Sequence, residues 1–419
     1  MVTSGWPAPT RYPVALVSTS VRRWTTAERR ARLAQRHCLA PAALASDPVA
    51  AARAVVALHA TDPSTVYLSA CWRTHDRQLA AVQRALYDDR RLIRMLGMRR
   101  TLFVAPVELM PVIQAACTDA IAALERRRAL QLIEGAGLTG GEDPGRWLAA
   151  VERETLEALD DLGEATASQL AERVPHLQGR IRMAEGKAYA GWLGLSTRVL
   201  LLLGAEGKIV RSRPRGSWTS SQHRWAPADR WLTQSSLGPA LSREAAQAEL
   251  VRAWLASFGP GTLADLRWWT GLGAREVLRA LAALETVEVD LDGTPGFLLR
   301  EDREPVSADD REPWVALLPA LDPTPMGWAM AGRAWFLGPH APALFDSSGN
   351  IGPTVWSDGR IVGGWAQRKS GEVVVRLLEE IGQATSRAIT QAAADLQAWL
   401  GPTRITPRFR TPLERELSA

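Results

Sequence analysis

Few side chains in this sequence combine a type and a spacing that can do chemistry. The six histidines, His37, His59, His75, His176, His223 and His340, fall at no metal-ligand spacing, so a metal site is not expected. A G-x-x-x-x-G-K-[ST] loop, an H-E-x-x-H helix and a G-x-S-x-G turn are all missing. What remains is a polar trio within four residues, His59, Thr61 and Asp62, and two arginine-rich stretches. Local physics gives the trio a structural reading. His59 closes a predicted helix, where the dipole favours the charged imidazole, and Asp62 before Pro63 has the form of an N-cap.

The basic stretches contain no acidic residue. Residues 90–100 carry Arg90, Arg91, Arg94, Arg99 and Arg100, and residues 208–224 carry Lys208, Arg211, Arg213, Arg215 and Arg224 around Trp218. Over the whole chain Lys and Arg number 50 against 45 Asp and Glu, and only Lys187, Lys208 and Lys369 are lysines. A guanidinium donates two parallel hydrogen bonds to a phosphate. Arg94, Arg99 and Arg100 on one hairpin, and Arg211, Arg213, Arg215 and Arg224 on another, are therefore expected to contact a DNA backbone. Trp218 is expected either to wedge at a base step or to pack beneath its hairpin. A GC-rich coding sequence also raises the arginine share, so the clustering weighs more than the total.

Composition bounds the rest. A 419-residue chain that is 46% hydrophobic and 23% charged suits a globular protein of two to four domains, at about 100–200 residues each. Cys38, Cys71 and Cys117 form no C-x-x-C pair, so neither a disulfide framework nor a cysteine zinc site is expected, and a cytoplasmic location is. The start has no basic-then-apolar leader and the longest apolar run, 199–203, is short. Secretion and membrane spanning are not expected.

The fold class read from pattern is α+β. Residues 1–24 read as a loose extension without a role. A capping box at Thr25 and Glu28 opens a helix, Asp47-Pro48 opens a second that runs to about His59, Asp62-Pro63 opens a third, and LAAVQRALYDD supplies a fourth. LIRMLGMRRTLFVAP then reads as two strands about Gly97. Helices followed by a hairpin recur twice more: over 145–235, where LSTRVLLLLGAEG is the candidate recognition helix, and over 240–304, with a hairpin at Asp292-Gly293. Three tandem winged-helix units, the first spanning 25–135 with a connecting helix, are thus expected to place helices in DNA grooves and strands beside the backbone. Residues 312–419 read as a β-rich unit with strands at WVALLPALDP, AWFLGP, PTVWSDGRIVGGWAQR and EVVVRLL, then a helix over 377–400 and a tail.

The stretch VVALHATDPSTVYLSACWR resembles the first-domain signature of the winged-helix DNA glycosylases of the YcaQ and AlkZ type. The matching frame is Leu58, Pro63, Tyr67 and Trp72. LIRMLGMRRTLFVAP, LLPALDPTPMGW, DGRIVGGW and TPRFRTPLEREL extend the likeness from about residue 25 to the end. The resemblance implies hydrolysis of the N-glycosidic bond of bulky N-alkylated purines in duplex DNA, some interstrand crosslinks included. No cofactor is expected, and three winged-helix units within one chain can enclose DNA as a monomer. The family reads L-Q-Φ-Q or L-Q-Φ-D where this chain has Leu58, His59, Ala60 and Thr61, so neither glutamine is kept.

On that resemblance His59 would accept from a water, Thr61 orient it, and Asp62 stabilise the oxocarbenium-like sugar. An N7-alkylated guanine leaves as a neutral base and needs little acid help. The lost glutamines equally fit a non-catalytic winged-helix DNA-binding protein, a regulator or damage binder.

Overall fold

In the computed structural model, which describes residues 21–183, 191–232, 240–304 and 312–419, the supposed loose extension has a structured end. β1 (Arg22–Arg23) pairs in parallel with Val289 and Asp290, and Trp24 is fully buried. Residues 1–20 lie outside the described residues. The capping box forms as read: Thr25 Oγ1 accepts from the Glu28 N–H, the Glu28 carboxylate accepts from the Thr25 N–H, and α1 (Thr26–Arg36) follows.

Asp47 caps α2 (Pro48–Ala54) by accepting from the Val49 and Ala50 N–H groups. That helix stops short of the predicted end. Val56 takes φ +64, and the chain leaves as β2 (Leu58–His59). His59 therefore sits on a strand and not at a helix C-terminus. Asp62 is an N-cap as expected, opening α3 (Pro63–Cys71); α4 (Leu79–Tyr87), β3 (Leu92–Gly97) and β4 (Thr101–Pro106) follow, in a sheet of order β2-β4-β3.

Next come a long helix, α5 (Val107–Gly135), then α6 (Pro144–Leu162) and α7 (Ala167–Arg173). A hairpin of β5 (Arg180–Met183) and β6 (Gly191–Gly194), absent from the sequence reading, precedes α8 (Leu195–Ala205) and the pair β7 (Ile209–Pro214) and β8 (His223–Pro227). α8 was the expected recognition helix. One face of it is buried, with Leu195, Val199, Leu200, Leu202, Leu203 and Ala205, while Thr197 is exposed. By length and hydropathy α5 would reach across a bilayer. Yet it carries the buried Glu125, paired with Arg100, Arg128 and Arg198, and packs on α6 and α8.

α9 (Arg243–Phe258), α10 (Leu263–Thr270) and α11 (Ala274–Ala282) lead into the hairpin β9 (Thr286–Leu291) and β10 (Thr294–Leu299), to whose free side β1 adds. The C-terminal sheet is antiparallel: β11 (Val315–Leu318), β12 (Thr354–Ser357), β13 (Arg360–Gln367) and β14 (Val373–Leu377). Asp358 and Gly359 have φ of +46 and +82, as the expected two-residue turn requires. Two readings are corrected here. AWFLGP is not a strand, since Ala334–Leu337 is a helical turn, and the long helix α12 (Gln383–Leu400) starts later than 377 because β14 occupies 373–377. α13 (Pro412–Leu417) closes the chain.

The architecture is a mixed α+β one, in which groups of helices alternate with small sheets as in tandem winged-helix-like units. One hydrophobic core runs through α2–α4, α9–α11 and the C-terminal sheet. α6–α8 have a second core of their own.

Candidate active site

The trio lies where β2 crosses into α3. His59 pairs with Phe103 of β4, its ring meets Phe103 edge-on at 5.5 Å, and only 7% of the residue is exposed. Burial, with a smaller push from the Arg99 charge, lowers its pKa to about 3, so the imidazole is neutral at working pH. Its Nδ1 receives a long contact from the Thr61 N–H, at 3.5 Å. Thr61 is half-buried. Both Asp62 oxygens are occupied: Oδ1 accepts from the Ser64 N–H (3.0 Å) and the Ser64 hydroxyl (2.7 Å), and Oδ2 accepts from the Arg408 N–H (3.0 Å).

α3 is anchored from its other end. The buried Arg73 guanidinium donates to both Asp322 oxygens (2.9 and 2.7 Å) and to Thr324 Oγ1 (2.7 Å), and Ser69 Oγ donates to Asp322 (2.7 Å). Burial alone would raise the Asp322 carboxyl, but Arg73 and Ser69 hold it below its usual range. His37 Nδ1 accepts from the Thr324 hydroxyl (2.9 Å) while Nε2–H donates to Ser257 O (3.2 Å). Burial takes His37 down to about 3 as well.

The predicted DNA contacts separate into groups. Arg94 is 5% exposed and donates to Ala60 O (3.0 Å), so it braces the trio from inside. Arg99 stacks one face on Trp268 at 3.9 Å and leaves the other exposed. Arg100 is drawn to the buried Glu125 (2.8 Å) and Arg213 to Asp88 (2.8 Å). Arg211 lies over Trp225, while Arg215 and Arg224 face solvent. The wedge expectation for Trp218 is overturned: 8% exposed, it meets Tyr67 and Trp399 edge-on at 5.3 and 5.7 Å and seats the β7–β8 hairpin on the main core. Trp218→Ala should lower unfolding free energy by about 3–5 kcal/mol, as for a buried aromatic, read by denaturant titration.

Arg408 was missed. Its backbone N–H reaches Asp62 and its Nη1 donates to Thr61 O (3.4 Å); the basic run TPRFR was the available signal. Exposed Trp192 on β6, 62% accessible, was also missed, because its hairpin interrupts the expected helix succession.

A model of the DNA glycosylase AlkZ-like family matches residues 52–399. The chain belongs to that family. Its α+β order is that of the Streptomyces sahachiroi DNA glycosylase AlkZ, whose structure superposes with a TM-score of 0.68 at 21% identity, covering 92% of this chain and 99% of that one. An interstrand DNA cross-link repair glycosylase from the same organism is 26% identical over 165 residues, 38% of this chain. The match spans 44% of that relative's length.

The neutral histidines have a consequence for stability. His37 and His59 titrate near the ordinary 6.5 when unfolded but near 3 when folded. Below about pH 6.5 the unfolded chain binds the extra protons, so stability falls as pH drops. Each should contribute a slope of about 1.4 kcal/mol per pH unit between about pH 6 and 4. Urea titration at successive pH values reads it, and His37→Asn should remove its share.

Proposed function

We propose that the chain is a monofunctional DNA glycosylase that hydrolyses the N-glycosidic bond of bulky N-alkylated purines in duplex DNA, crosslinked ones included, acting as a monomer in the cytoplasm without metal or cofactor. In this reading residues 25–135, 145–235 and 240–304 are three winged-helix units, and 312–419 is the β-rich unit that covers the site.

One observation carries the proposal. Three guanidiniums from separate parts of the chain, Arg94 on β3, Arg99 at the β3–β4 turn and Arg408 in the C-terminal tail, converge on the His59–Asp62 segment, and none forms an ion pair among the described residues. Like charges gathered without a counter-ion raise one another's free energy, which an anion relieves. A DNA backbone supplies phosphates, and Arg99 and Arg408 are the exposed rim that meets it.

The chemistry suits a weakly basic site. With a pKa of about 3, His59 is too poor a base to carry a proton at neutral pH, and it works by holding the attacking water. Thr61 Oγ1 is the second holder. The water oxygen bonds to C1′ as the C1′–N9 pair leaves with the alkylated guanine, whose N7 charge it neutralises. The water's proton passes to solvent. Asp62, fixed by three donors, supplies negative charge beside the cationic sugar. The same design accounts for a family that uses glutamine here, a group that orients without transferring protons.

Treating duplexes bearing N7-alkylguanines of several sizes with the protein and then hot alkali should cut the strand at the adduct; no cut at any size refutes the reading. Duplex affinity should fall with salt at a slope of about −0.9 per phosphate neutralised, and Arg408→Ala should make that slope shallower by about 1 without altering the dependence on adduct. The rival reading is a non-catalytic damage binder, favoured by the covered His59 ring. It predicts tight adduct binding with no strand cut.

A further inference from the structure

The β3–β4 turn has a backbone that its residues do not favour. Arg99 and Arg100 take φ of +54 and +59 in succession, the left-handed region where glycine or asparagine is the usual occupant. Long side chains kept there at a cost point to a use for the side chains. Arg100 spends its guanidinium on the buried Glu125. The Arg99 guanidinium makes no hydrogen bond and no ion pair among the described residues; it lies over the Trp268 ring of α10, 3.9 Å from the centroid. The turn is pressed onto the end of that helix, because Gly271, with φ +77, lets the chains approach until a Cβ there would stand 3.3 Å from Arg99 N. The trio lies alongside. His59 pairs with Phe103 and the Ala60 N–H donates to Leu102 O (2.8 Å), so one further step of the same pairing sets Thr61 against Thr101, where the turn ends.

Trp268 is itself held from beneath. The Arg333 guanidinium stands 4.8 Å from the same ring centroid, and two guanidiniums this near to one ring centre must take opposite faces. Arg333 is 1% exposed, donates its Nε–H to Trp328 O (2.8 Å) and lies 5.1 Å from the Phe345 ring. Asp265, whose Oδ1 lies against Gly332, does not pair with it: its oxygens accept from the Ala329 and Thr262 N–H groups and from the Thr262 hydroxyl. Arg99, Trp268, Arg333 and Phe345 therefore form one column that runs from the exposed turn into the C-terminal unit.

A guanidinium stacked on a ring gives up rotamer freedom in advance, while its in-plane N–H donors remain open for an oxyanion approaching edge-on. Two cations on one ring also weaken each other's hold, which an anion at the outer one relieves. We propose that Trp268 is a positioning residue, which with Arg333 beneath it holds Arg99 edge-on to one DNA phosphate beside the nucleotide at the trio. The identity of the ligand rests on the DNA-acting reading; the column itself does not.

The affinity of the full-length protein for an undamaged duplex, measured across salt concentrations, tests this without turnover. Arg99→Ala should weaken binding about tenfold at low salt, as loss of a charge-assisted contact implies, and make the slope of log affinity against log salt shallower by about 0.9. Trp268→Leu keeps the Arg99 charge yet should lose most of the same affinity and the same slope, and Trp268→Phe, which keeps a ring face, should restore both. The double variant of Arg99→Ala with Trp268→Leu should bind no more weakly than Arg99→Ala alone. Additive losses in the double variant overturn the positioning role. An unchanged slope in Trp268→Leu also overturns it, since a ring that only supports the fold, or a guanidinium face that stacks on a base, would leave the count of neutralised phosphates as it was. Wild-type protein with no salt-dependent duplex binding overturns both this role and the DNA-acting reading. Coupled losses in a protein that releases no alkylated base support the role and defeat the glycosylase reading alone, whereas additive losses in a protein that still releases base defeat the role alone.

Discussion

Asp322→Ala is expected to lower unfolding free energy by about 3–5 kcal/mol. Arg73 and Asp322 are both fully buried. Removing the carboxylate leaves the Arg73 guanidinium without its counter-charge in a place that water does not reach, and it strips the acceptor from Ser69 Oγ and the Thr324 N–H as well. The effect should exceed that of losing an exposed pair such as Arg153 and Glu157, which is about 0–1 kcal/mol. Denaturant titration of the two single variants, Asp322→Ala and Glu157→Ala, reads the contrast. Since Ser69 lies on α3, Arg73 just past its end, and Asp62 caps its start, partial loss should also loosen the trio and appear as reduced activity at temperatures below the unfolding transition.

The second large effect is catalytic. On the proposed function His59→Ala should slow base release by about 10²-fold, the cost of losing the placement of a reactant such as the attacking water, while changing duplex affinity little, because the proposed phosphate contacts are arginines. His59→Gln should keep most of the activity. Glutamine can orient a water as the neutral imidazole does, and it is the residue that the resemblance implies for the family here. If His59 worked instead as a proton acceptor, glutamine would be as poor as alanine. The pH profile gives the same distinction: with a pKa near 3, His59 should produce no inflection between about pH 5 and 8, whereas an ordinary histidine would near 6.5.

Much of the fold was legible because its signals are local. The capping box at Thr25, the Asp-Pro starts at Asp47 and Asp62, and the Asp358-Gly359 turn each act within four residues, and each forms as read. What failed depended on partners far along the chain. The end of α2 was misjudged because Leu58 and His59 are claimed by β4, and β1 gains its role only from β9, more than two hundred residues away. How α8 packs was not legible either, because nothing in LSTRVLLLLG says that α5 and α7 will meet it. The arginines show the same limit most sharply. Their clustering was visible, but whether a guanidinium meets solvent, as at Arg215 and Arg224, or is consumed by a buried glutamate, as at Arg100, is decided by tertiary packing. Arg408 went unseen because it reaches the trio across the full length of the chain.

The most direct test of the account is chromatographic detection of the free alkylated purine, released under single-turnover conditions from duplex DNA carrying one N7-alkylguanine. Wild-type protein should release the base, leaving an abasic strand in equal amount, and His59→Ala, at matched DNA occupancy, should release it about a hundredfold more slowly. Bound duplex with no free base above the uncatalysed rate, or equal release by wild type and His59→Ala, would contradict it.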